Sequence, residues 1–98
     1  MIVRWVHMHF KSEEVEQFIA VFDESRDAIR MSPGCHSLRL LRDPVDPCSI
    51  QTLSTWEKAE DLEHYRHSQL FENTWAKTKV LFDQKPRAYS YEVLRELL

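Results

Sequence analysis

The sequence predicts an α+β fold of β-α-β-β-α-β order, the split βαβ or ferredoxin-like arrangement, with a four-stranded antiparallel sheet and helices on one face. Three features of the chain lead there. Four short segments are rich in β-branched and aromatic residues. Helical spacing of apolar residues follows the first and the third of them. The second and third are joined by Asp43-Pro44-Val45-Asp46-Pro47, punctuation that suits a hairpin loop better than a domain boundary. A length of 98 residues suits one domain over positions 1–98.

The elements follow in order. Residues 2–10 read as a strand, and Ser12 then offers a helix N-cap. Glu13, Glu14 and Glu16 supply the negative charge a helix start favours. Val15, Phe18, Ile19, Phe22 and Ile29 recur at helical spacing until Ser32-Pro33-Gly34 breaks the run. Residues 36–42 and 49–57 form the hairpin strands. Residues 58–67 make a short helix. Ser68 caps another, with Phe71, Trp75, Thr78 and Phe82 along one side. Residues 86–94 form the last strand.

Composition excludes several classes. Apolar residues make up 43%, with 5 Phe, 3 Tyr and 3 Trp, too many for a disordered chain. A net charge of −3 offers no basic footprint for nucleic acid. No stretch approaches the roughly 18 uncharged apolar residues of a membrane span. One glycine, Gly34, is too few for a phosphate-cradling loop, so no nucleotide or flavin cofactor is expected. Cys35 and Cys48 form no C-x-x-C pair. The N-terminus lacks the order of a secretion signal, so both thiols are expected reduced in a cytoplasmic protein.

The first strand has two apolar faces. Ile2, Val6, Met8 and Phe10 share one, and Arg4 points the same way; Val3 and Trp5 lie on the other. Helices of one chain cover one face only. The face with Trp5 needs a second cover, and a second copy packed sheet to sheet supplies it, so a homodimer is expected.

On the third strand Ile50, Thr52, Ser54 and Trp56 share a face. Thr52 and Ser54 are small and polar for a packed core. They leave space for a pocket beneath a helix, walled by Trp56; the competing reading puts both in solvent at a sheet edge. Tyr65 and Trp75 join Trp56 around that pocket, with Val6 from the first strand. Tyr65 brings a ring that stacks and a hydroxyl that both donates and accepts; plain core packing is the alternative. Histidine is the default proton acceptor near neutrality. His36 is the best candidate base, and with Tyr65 and Trp56 it is expected to shape the pocket. His7 with His9, and His64 with His67, have two-ligand spacing, but a metal site needs three or four ligands, so no metal is expected. Arg4 is the group to stabilise a developing anion, or else half of a surface or interface ion pair.

Ser32-Pro33-Gly34-Cys35, the Asp-Pro loop over residues 43–47, and Thr55-Trp56-Glu57 together resemble the antibiotic biosynthesis monooxygenase family. The stretch from Leu62 to Phe71 is similar to that family's helix with a polar aromatic and a Ser before Phe. The resemblance covers nearly the whole chain. It implies a dimeric α+β barrel in which two ferredoxin-like sheets face one another. Within the family it implies three possibilities. One is a cofactor-independent monooxygenase acting on a small aromatic, quinol-like molecule, whose own electrons reduce oxygen. The second is a non-catalytic binding or sensing module, and the third an isomerase or mutarotase. The haem-degrading branch shows an Asn, a Trp and a His where this chain has Val6, Tyr65 and Trp75. Many quinol-oxygenase members carry His at the position of Tyr65.

Overall fold

Alternation along the first strand organises the molecule. The computed structural model describes all 98 residues. It runs β1 (Ile2–His9), α1 (Val15–Arg30), β2 (Cys35–Arg42), β3 (Ser49–Trp56), α2 (Ala59–Arg66), α3 (Gln69–Lys79) and β4 (Arg87–Glu92). The sheet order is β2-β3-β1-β4 and every pair is antiparallel. The ferredoxin-like topology expected from the sequence is the one observed. No helix is long and apolar enough to cross a membrane.

Reading across the sheet from β4 to β2, the helix-facing positions fall in rows. Glu92, Ile2, Trp56 and Cys35 make the first row; Ser90, Arg4, Ser54 and Leu38 the second; Ala88, Val6, Thr52 and Leu40 the third. Met8 and Ile50 face each other beyond them. Large residues therefore occupy both ends of the face, and small ones collect between. One core gathers Met8, Phe10, Phe18, Ile50 and Leu81; the other gathers Cys35, Trp56 and Leu62. Trp56, Phe10 and Ile50 are the most completely buried large side chains. Burying residues of this size contributes roughly 1.5–3 kcal/mol each.

The helices differ from expectation at two ends. Ser12 is not the N-cap of α1. It opens a tight 3-10 turn, Ser12–Glu14, and its Oγ donates to Glu13 Oε2 instead. The Glu14 N–H bonds the Lys11 carbonyl, so the chain tightens for one turn before the α-helix begins at Val15. Ser68 does cap α3, its Oγ accepting from the Phe71 N–H at 3.1 Å. Phe82 lies beyond the end of α3, where it bridges to Phe10.

Gly34 holds φ +83°, the left-handed region that favours glycine. Its carbonyl accepts from the Glu57 N–H at 2.8 Å. The Asp61 side chain fills the space that a Cβ at Gly34 would need. Beside it, β2 carries an irregularity: Cys35 pairs with Trp56 and Ser37 with Thr55, leaving His36 as the extra residue of a bulge.

The helix-free face carries Val3, Trp5, His7, Leu53, Tyr89 and Tyr91. Trp5 Nε1 donates to Gln51 Oε1 at 2.8 Å. Rings follow one another from Trp5 to His7 to Tyr89 to Tyr91, with neighbouring centroids 4.5, 6.2 and 6.3 Å apart. Tyr89 and Tyr91 are exposed.

Candidate functional site

The small residues in the middle rows create a cavity of about 340 Å³ between the sheet and the helices, in the size range of small-molecule sites. Its ends are the two cores. It opens beside β4, all six residues of which are exposed. The sequence dictates this opening. β4 presents only Ala88, Ser90 and Glu92 to the helix side, too little apolar surface to draw a helix over it.

Aromatic rings form the wall. Tyr65 stacks on Trp56 with centroids 5.1 Å apart and 23° between planes. Phe71 meets Tyr65 edge-on at 5.3 Å and stacks on Trp75 at 5.9 Å. Trp75 meets Phe82 at 5.6 Å. Helical spacing explains the set: Leu62 and Tyr65 lie one turn apart on α2, as do Phe71 and Trp75 on α3. Such packing gives the cavity a flat apolar wall.

Few polar groups reach the cavity. Trp56 Nε1 donates to Ser54 Oγ at 2.9 Å, which explains a serine on a buried strand face. That bond uses the Ser54 oxygen as acceptor and leaves its hydroxyl hydrogen free. Thr52 Oγ1 lies one row away. The Tyr65 hydroxyl makes no hydrogen bond to the protein. Burial, and then the field of Cys35, push its pKa up to about 12. At neutral pH it is an un-ionised donor.

Arg4 enters from the floor, its Nη1 donating to Ser90 Oγ at 3.0 Å. Burial and then the Arg66 charge lower its pKa, while Glu63 works the other way. A guanidinium nonetheless stays protonated at neutral pH.

Of the residues singled out from sequence, Arg4, Val6, Thr52, Ser54, Trp56, Tyr65 and Trp75 all line this one cavity. His36 does not. The expectation that it faces the pocket is corrected by the bulge. Strand alternation with Leu38 and Leu40 directs position 36 toward the helices. The extra residue instead turns Cys35 inward against Trp56 and Leu62 and places His36 outside. His36 is exposed, with Nε2 2.6 Å from Glu57 Oε2. The other histidines are also elsewhere. His9 is held between Asp83 at 2.6 Å and Asp46 at 2.8 Å. His67 bonds the Glu63 carbonyl at the end of α2. No three metal-ligating side chains converge.

Sequence reasoning missed Phe71, Arg66 and Ala88 as lining residues. Ala88 and Ser90 carried the same signal as Thr52 and Ser54, small residues alternating with large ones, but on a strand whose register was unknown.

The fold and the cavity define a class: a ferredoxin-like α+β protein with a ring-lined pocket between sheet and helices. The sequence profile of the antibiotic biosynthesis monooxygenase family matches residues 1–77, and the chain belongs to that family. Solved structures share its fold. An antibiotic biosynthesis monooxygenase superposes with a TM-score of 0.90 at 16% identity, covering 97% of this chain and 100% of the other. The Rv0793 protein of Mycobacterium tuberculosis gives 0.89 at 16%, covering 97% and 96%. A conserved protein of Methanosarcina mazei Go1 gives 0.87 at 17%, covering 93% and 91%. No curated protein matches the sequence.

Proposed function

We propose that this chain is a homodimeric, cofactor-independent oxygenase acting on a small aromatic, quinol- or anthrone-like molecule held in the cavity. The observation that carries the reading is the Trp56–Tyr65 stack, which sets an un-ionised, unpartnered hydroxyl beside a flat apolar wall. A ring lying on that wall takes a hydrogen bond from Tyr65, and Arg4 supplies a positive charge to the oxygen of its ionised form. For an anthrone the step is balanced by the substrate alone. A ring CH₂ and O₂ become C=O and water; both C–H bonds break, and the electrons that reduce oxygen come from the substrate. The aromatic face of the sheet that no helix covers supports the homodimer.

A second reading, a binding or sensing module of the same fold, is favoured by one feature. No His, Asp or Glu lines the cavity to serve as a base. An oxygenase here relies on a substrate that ionises by its own acidity beside Arg4. A proton-shuffling isomerase needs the base that is missing, so that alternative is not supported. Oxygen uptake by the purified protein, measured against a panel of anthrones and quinols, separates the readings. Uptake that saturates and falls in Tyr65→Phe is expected. Tight binding of the same compounds with no uptake favours the binding module.

A further inference from the structure

We infer that the quinol- or anthrone-like ring this cavity takes bears a carboxylate, and that this acid group is seated on Arg4. This rests on the reading of the cavity as an aromatic-ligand site and adds the charge that the ligand must carry.

Arg4 occupies the middle of the cavity floor, between Ser90 and Ser54 in the second row. Its one hydrogen bond goes to the neutral Ser90 hydroxyl, and it takes part in none of the molecule's ion pairs. The residues around the cavity include no Asp or Glu. They do include a second cation, Arg66, whose charge bears unfavourably on Arg4. The nearest help is Glu63, and its carboxylate is already engaged by Arg66 at 2.8 Å. A third arginine borders the cavity, but Arg87 stands opposite His7 in the ladder, which turns its side chain to the helix-free face. The cavity thus holds a partly desolvated guanidinium without a counter-ion, an arrangement that costs free energy until an anion arrives.

The shape of the unfilled demand is specific. A guanidinium presents five N–H donors in a plane, and Arg4 uses one on Ser90, leaving a fork suited to the two oxygens of a carboxylate. The free Ser54 hydroxyl hydrogen stands directly across from Arg4 in the ladder. The small neighbours Ser90, Ala88, Thr52 and Ser54 leave room for the acid group there, while the ring goes against Trp56 and Tyr65.

Calorimetric titration of the full chain with 2-naphthoate and with 2-naphthalenemethanol tests this, because the two share a ring system and differ in charge. The acid should bind at least about tenfold more tightly than the alcohol, as a charge-assisted bidentate contact warrants. Arg4→Met should abolish that preference, because the guanidinium fork that distinguishes the acid from the alcohol is gone. Arg4→Gln serves as a second variant, judged the same way, if circular dichroism shows Arg4→Met unfolded. Equal affinity for the two compounds in the native chain, or a preference that survives both variants, overturns the inference. If the alcohol binds and the acid has no advantage, the anion assignment falls and the aromatic pocket stands. If neither binds, both fall.

Discussion

Tyr65 lies stacked on Trp56 with ring centroids 5.1 Å apart, and of the two polar groups this pair carries, only the Trp56 indole N–H is satisfied within the protein, by Ser54. The stack is therefore structural on one side and available on the other. Trp56 is fully buried and anchors β3 to α2. Tyr65 presents a hydroxyl that has no protein partner to lose.

Tyr65→Phe should for that reason leave stability within roughly 1 kcal/mol of the native chain. Chemical denaturation measures this. The same variant should weaken turnover or binding of a phenolic ligand by about tenfold, the loss of one hydrogen bond in a desolvated site. A large stability loss with unchanged ligand behaviour would show that the hydroxyl serves the fold.

Trp5→Asp tests the uncovered sheet face. Light scattering on the native chain at micromolar concentration should give about twice the monomer mass, as expected of a paired sheet face. The variant should shift to monomer, because an unpaired carboxylate buried between two sheets costs several kcal/mol. A native chain that runs as a monomer would sink the barrel.

Gly34→Ala should destabilise by roughly 2 kcal/mol, since a left-handed φ alone costs about 1–2 kcal/mol for a residue with a Cβ. The added methyl also meets the Asp61 side chain. Gly34→Ala combined with Asp61→Gly should recover the steric part and not the conformational part. Thermal melts of the single and double variants separate the two.

His9 gives the fold a pH dependence. Hydrogen bonds to Asp83 and then Asp46 raise its pKa above the usual histidine value, and His9 in turn lowers that of Asp46. A raised histidine stabilises fully below its unfolded value of about 6.5 and loses that contribution as pH rises through its folded pKa. The lowered Asp46 contributes above its unfolded value of about 3.9 and loses that contribution as pH falls through its folded pKa. The clasp is strongest between those limits. His9→Gln should therefore lower Tm more at about pH 5.5 than at about pH 9. An equal loss at both would mean that the clasp holds through neutral hydrogen bonds alone.

Much of this was legible in the order of residues. Periodicities of two and of 3.6 are local properties, so the four strands, the helices and their order could be read directly. Parity along a regular strand put Arg4 with Val6, and Thr52 with Ser54 and Trp56, on the face where the cavity lies. The helix breaker at Ser32-Pro33-Gly34 and the Ser68 cap are local too.

Tertiary structure decided the rest, because it depends on what meets across the chain. A bulge between Cys35 and Ser37 reversed the parity that pointed His36 inward, and a bulge is set by the partner strand and by the Gly34 turn. Ser54 has its reason only once Trp56 turns its indole N–H toward it. Arg4 has a neutral partner and no counter-ion because Ser90, 86 positions away, lies opposite it across the sheet. Strand patterns give each residue a side; only register says which residues share it, and the cavity is made of that sharing.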